Sequence, residues 1–242
     1  AVPVFSSVAA TDSAYGVGET LSITVTWGEA VVVSGTPTLT LSNGDTASYA
    51  SGTGSTALVF TTVIAEGDST STDLSVSSFG GSITDAAGGA AGAASGDLGA
   101  VTVDGDAPDL ASVADSGDAT LGVGETHTIT VTWDEAVIVT NGALTLSNGA
   151  SAVYTSGTGS TAIVFTYTVS EGHSASNDLG VSAYTGTIAD AAGGAAAATG
   201  TVDLGTVTVD GAVPVFSSVA ATNGAYGVGE TLSITVTWGE AV

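Results

Sequence analysis

The chain has 242 residues, 24 of them Asp or Glu and none of them Lys or Arg, for a formal net charge of −24. Nucleic acid is held by cations that neutralise phosphates, and an anionic bilayer attracts the same basic groups, so this composition excludes both partners. Cysteine is absent and no disulfide supports the fold, but 43% hydrophobic against 10% charged residues leaves enough apolar surface to bury a core.

In chain order, the first signal is a strand near residues 3–10, followed by the alternation of Leu21, Ile23, Val25 and Trp27 with Ser and Thr between them. Period two with β-branched residues predicts a half-buried strand over 19–27. Leu39 and Leu41 mark a strand over 37–43, and Asn43-Gly44 predicts a type I′ hairpin turn into a strand at 46–50. Leu58, Phe60 and Ile64 carry the next stripe (56–65), matched later by Ile163, Phe165, Tyr167 and Val169. Strands at 73–79 and 98–104 complete the set, and Gly88, Gly89 and Gly92 make Asp85–Ala94 a loop rather than a helix. Seven short strands, A to G, with regular turn signals predict an all-β, immunoglobulin-like antiparallel β-sandwich.

The pattern repeats. Residues 1–31 return at 212–242, with Asn223 in place of Asp12 and Gly224 in place of Ser13. Gly-Val-Gly-Glu-Thr occurs at 16–20, 122–126 and 227–231, and Trp27, Trp133 and Trp238 mark one point in each copy. The expected organisation is a linear array: a first unit at 1–105, a second at 106–211, and strands A and B of a third at 212–242. A chain that stops two strands into a unit is expected to be a window on a longer repetitive protein. No run is long and apolar enough to span a bilayer, so no direct membrane insertion is expected of this segment.

Catalytic groups are not expected. His127 occupies the position of Leu21 and His173 that of Asp68, and neither a Cys nucleophile nor a Gly-x-Ser-x-Gly elbow is present. The Ser51–Thr56 loop is Gly-rich but lacks the lysine of a phosphate-binding loop. The carboxylates carry more information. Strand parity puts the A–B loop (Asp12, Glu19), the C–D turn (Asp45), the E–F loop (Glu66, Asp68, Asp73) and the exit linker (Asp104, Asp106, Asp109) at one pole of the first unit. The second unit brings its B–C loop (Asp134, Glu135) and F–G loop (Asp190) to the same junction. An all-oxygen set without competing cations suits Ca²⁺. The predicted interdomain calcium site is Asp104, Asp106, Asp109, Glu19, Glu66, Asp68 and Asp190. The next junction reads Asp210-Gly211-Ala212-Val213-Pro214 and lacks the equivalents of Asp106 and Asp109, so a thinner set of Glu125, Glu171 and Asp210 is expected there.

The run TLSITVTWGEAVVVSGTPTLTLSNG, then TASYASGTGSTALVFTTVIAEGD, then ITDAAGGAA, resembles the tandem immunoglobulin-like repeats of giant bacterial surface proteins and adhesins. The resemblance covers the whole chain. Those repeats show an Glu-Ala-Val turn after strand B and an Asp-x-Ala-Gly-Asn loop before strand G, where this chain has Gly89 and Gly194 in place of the Asn. It implies a non-enzymatic, extracellular or cell-surface protein: a rigid stalk, filament or coat whose partners are other copies of the repeat, in cis and in trans. Two alternatives stand beside it. The 212–242 hairpin could polymerise the protein by strand donation, or Trp27, Tyr15 and Tyr49 could belong to a glycan-binding module.

Overall fold

The alternation at Leu21–Trp27 places those four apolar side chains inside, with Ser22 exposed and Thr24 and Thr26 half-buried between them. This computed structural model describes residues 2–196 and 200–240. The first unit contains β1 (Phe5–Ala9), β2 (Ser13–Tyr15), β3 (Thr20–Leu41), β4 (Thr46–Ser51), β5 (Ser55–Val63), β6 (Ser75–Thr84), β7 (Gly96–Asp97) and β8 (Val101–Val103). The second repeats the order with β9 (Leu110–Asp115), β10 (Ala119–Leu121), β11 (Thr126–Leu146), β12 (Ser151–Ser156), β13 (Ser160–Thr168), β14 (Gly180–Ala189), β15 (Val202–Asp203) and β16 (Val207–Val209). Two more strands, β17 (Phe216–Ala221) and β18 (Ile234–Trp238), form a hairpin-like pair beyond it.

Strands B and C, expected as separate elements, are one strand. The first half of β3 pairs antiparallel with β1 and β5, and its second half with β4 and β6. The register against β5 shifts between Thr26 and Val31, and such an irregularity bends a strand without ending it. At this corner the Gly28 amide donates to the Val4 carbonyl at 2.9 Å, so the backbone stays paired through the bend. Strands A and G are each divided instead, and β2 pairs parallel with β8, Ser13 opposite Val101 and Tyr15 opposite Val103. That parallel pairing lets the chain's first strand contribute to both layers of an immunoglobulin-like sandwich.

The Asn43-Gly44 turn also differs from expectation. Gly44 has φ of 100°, but Asn43 keeps a negative φ, so the turn is not type I′. The Gly44 amide donates to the Leu41 carbonyl at 3.1 Å and the Leu41 amide to the Asp45 carbonyl at 2.8 Å. This is a type I turn followed by a left-handed glycine, the three-residue hairpin solution.

Each unit has its own core. One cluster is built around Trp27, Phe60, Leu39 and Val101, the other around Trp133, Phe165, Tyr167 and Val207. Trp27 is edge-on to Phe5 at 6.1 Å and to Phe79 at 6.4 Å, and a ring that is 2% exposed offers no platform to a sugar. The two cores differ at several buried positions, among them Leu58 against Ile163 and Ile64 against Val169, and one difference is polar. His127, 1% exposed, sits where Leu21 does, with Nε2 2.8 Å from Asp115 Oδ2 and Nδ1 3.0 Å from Ser116 Oγ. A carboxylate only accepts, so Nε2 carries the proton donated to Asp115, and the serine hydroxyl is the partner of Nδ1. Asp115, the last residue of β9, and Ser116, the first residue after it, supply both partners that a buried imidazole needs.

Candidate metal centre

The junction acids are placed by the strand ends that flank the linker. Asp104 follows β8 directly and is fixed by its amide, which donates to the Tyr15 carbonyl at 2.9 Å. Glu135 and Asp134 lie at the bend of β11, the corner of the second unit that faces the linker. Asp190 follows β14 and closes the Asp190–Gly194 turn: its Oδ1 accepts the Ala192 amide at 2.6 Å and the Gly194 amide at 3.0 Å. Its Oδ2 is buried and accepts no hydrogen bond from the described residues, on a residue only 4% exposed. One carboxylate oxygen from each of Asp104, Glu135 and Asp190 lies within 4.8 Å of the other two.

That arrangement is costly without a cation. A buried acceptor with no donor loses its water and gains nothing in return, and here two further carboxylates approach it. Calcium binds oxygens at about 2.3–2.6 Å, so ligands of one ion lie no more than about 5 Å apart, a spacing these three oxygens satisfy. The donor set is all oxygen and anionic, which suits a hard divalent cation and not a soft one.

Asp106, Asp109, Glu66 and Asp134 line the adjoining cleft of about 430 Å³ with Asp104 and Glu135. Glu66 accepts the Ala107 amide at 3.2 Å, and Asp134 accepts the Asp109 amide at 2.9 Å, so both hold the linker in place. Two residues of the sequence-predicted set stay out of the carboxylate cluster, although Glu19 still reaches the joint, beside Gly193. Asp68 is folded onto its own loop, accepting the Ala65 amide at 2.7 Å, and Glu19 accepts the Gly16 amide at 3.3 Å. Asp12, assigned by strand parity to this pole, instead accepts the Ala100 amide at 3.2 Å at the start of β8. Glu135 was outside the predicted set although its loop was placed at the junction. Its role depends on the bend of β11, which the residue pattern did not indicate.

Burial, and then the charges of Asp190, Asp104, Asp134 and Asp106, push the Glu135 carboxyl up from an ordinary 4.5 to about 7. A carboxyl raised in the folded state binds its proton more tightly there than in the unfolded chain. Its contribution therefore destabilises the fold above pH 7, and the penalty fades as pH falls through 7 toward 4.5. In EDTA the melting temperature should rise between pH 8 and pH 5.5 (roughly the window set by that shift), and Glu135→Gln should flatten this part of the profile. A profile unaltered by Glu135→Gln would assign the pH response to other acids.

The second junction is chemically different. Ala212 and Val215 replace Asp106 and Asp109, Gly239 replaces Asp134, and Ala150 replaces Asp45. His173 takes the place of Asp68, stacked on Tyr167 at 5.6 Å, with Nδ1 3.1 Å from the Tyr167 hydroxyl. Of the thinner set, Asp210 accepts the Ala212 amide at 3.0 Å and Glu125 the Gly122 amide at 2.8 Å.

No family model matches the chain, and no curated protein matches it. Among solved structures it is similar to the I-band fragment I67-I69 from titin, at 13% identity and a TM-score of 0.41, over 90% of this chain and 69% of that one. The strand order, the paired sheets and the two separate cores define the class: an all-β protein of tandem immunoglobulin-like β-sandwiches.

Proposed function

We propose that the chain is a non-enzymatic extender segment of an extracellular bacterial surface or adhesin protein, and that Ca²⁺ stiffens the joint between its first two units. The observation that carries this is the unpartnered Asp190 Oδ2, buried beside Asp104 and Glu135 from both sides of one linker. Asp104, Glu135 and Asp190 would hold the ion, with Asp106, Asp109, Glu66 and Asp134 close by to complete an oxygen shell with water. The ion's contribution is to cancel repulsion between acids that belong to different units. The absence of Lys and Arg from these 242 residues supports the same reading, because no lysine or arginine here can neutralise them.

The joint 1–2 site is dense in acid and the 2–3 site is not, so a long array would alternate cation-braced and packing-braced joints. Small-angle scattering of the full chain tests this. Millimolar Ca²⁺ should narrow the distribution of interatomic distances and lengthen the molecule relative to EDTA. Identical profiles in the two buffers would remove the ion from the account.

A further inference from the structure

The joint between the first two units has a second component that needs no ion. The Gly16–Thr20 turn of the first unit meets the Asp190–Gly194 loop of the second. A Cβ placed on Gly16 would lie 2.3 Å from the Gly194 nitrogen and 3.0 Å from the Ala192 carbonyl carbon, a closer approach than any side chain permits. Gly16 and Gly194 are buried by this contact, and Val17 and Ala192 half-buried. Glu19 adds to it, since a Cβ on Gly193 would lie 2.9 Å from Glu19 Oε1.

Both halves of the contact occur again, uncovered. In the second unit's turn, the Gly124 amide donates to Val169 at 2.8 Å and the Glu125 amide to Gly122 at 3.1 Å. The Gly18 amide to Ile64 at 2.8 Å and the Glu19 amide to Gly16 at 3.1 Å repeat that geometry in the first. There, however, Gly122 is only half-buried, Val123 is 37% exposed, and a Cβ on Gly122 would meet nothing nearer than Glu125 Oε2 at 3.9 Å. In the first unit's loop, the Asp85 amide donates to Gly89 at 2.9 Å, as the Asp190 amide does to Gly194 at 3.0 Å. Its Asp85 Oδ1 accepts the Ala87 and Gly89 amides at 2.7 and 2.8 Å, yet Ala87 is exposed and Gly89 only half-buried.

We infer that the Gly-Val-Gly-Glu-Thr turn and the Asp-Ala-Ala-Gly-Gly loop are the two halves of one repeating end-to-end docking surface. The Gly122–Thr126 turn is accordingly the seat for the Asp-Ala-Ala-Gly-Gly loop of a repeat unit of the first unit's type placed behind the second. The surface is heterologous, turn to loop, so it propagates a linear array and closes on nothing. Glycine at the contact selects the neighbour: any side chain at Gly16 or its copies would separate the two backbones. This inference rests on the stalk proposal for its purpose, but not on calcium for its chemistry.

The test compares Gly16→Ala with Gly122→Ala in the full chain, using ¹⁵N relaxation to read whether the two units tumble together. Gly16→Ala should uncouple them while each retains its own amide dispersion, and Gly122→Ala should be silent, which also shows that the turn tolerates alanine. In a chain lengthened after Val242 by a copy of residues 32–105, which completes a third unit, Gly122→Ala should become disruptive and uncouple units two and three. Coupled tumbling in Gly16→Ala, or silence of Gly122→Ala in the lengthened chain, would overturn the inference. Repeating the series in EDTA separates the two proposals, because loss of every calcium response would leave the glycine effect intact.

Discussion

Calcium at a hundredfold excess over its Kd should stabilise the metal-binding fold by about 2.7 kcal/mol, and Asp190→Asn should abolish that gain. For a unit of this size the shift is on the order of ten degrees in Tm. The substitution is informative because it separates two roles of one side chain. Asn keeps an oxygen to accept the Ala192 and Gly194 amides, so the turn survives. It also replaces the unpartnered Oδ2 by a donor facing Asp104 and Glu135. The EDTA form of Asp190→Asn should therefore melt above the EDTA form of the parent, with the order reversed in saturating Ca²⁺. A parent whose midpoint ignores both Ca²⁺ and EDTA would sink the metal reading, whatever the variant does.

The second large effect concerns the cores. Trp27→Ala should cost the first unit about 3–5 kcal/mol, a large part of a typical domain's stability. Trp27 is 2% exposed and packs edge-on against Phe5 and Phe79, so its removal leaves a cavity that neighbouring strands cannot fill. The second unit has its own cluster around Trp133 and shares none of those buried residues. Calorimetry should resolve an early transition for the first unit and a later one close to the parental temperature. A single merged transition shifted as a whole would show that the two sandwiches unfold as one cooperative block.

Much of the fold was legible because period two leaves little freedom. Once Leu21, Ile23, Val25 and Trp27 face inward, a slip of one residue would expose all four, so register follows from pattern. The internal repeat then removed candidates: His127 aligned with Leu21 is read as a core residue with its own partners, not as an acid–base group. On charge alone, nucleic acid is not expected as a partner. Strand parity put the exit linker, Glu66, Asp134, Glu135 and Asp190 at one junction, where the structure also has them, but it wrongly put Asp12 there, which lies beside Ala100.

What parity could not supply was direction within a loop. Asp68 and Glu19 lie on the correct loops and turn back to cap their own backbones, whereas Asp190 caps with one oxygen and leaves the other unpaired. Those outcomes depend on local amide geometry that no residue count encodes. Glu135 reaches the site because β11 bends without breaking, a consequence of register shift across two neighbouring strands. The Gly16–Gly194 approach is likewise invisible in either segment alone, because a glycine selected by a neighbour 178 positions away looks like any turn glycine. Short-range periodicity in the sequence determined the strands and their inward faces, and the tertiary structure alone decided the joint, because that depends on how two rigid surfaces meet.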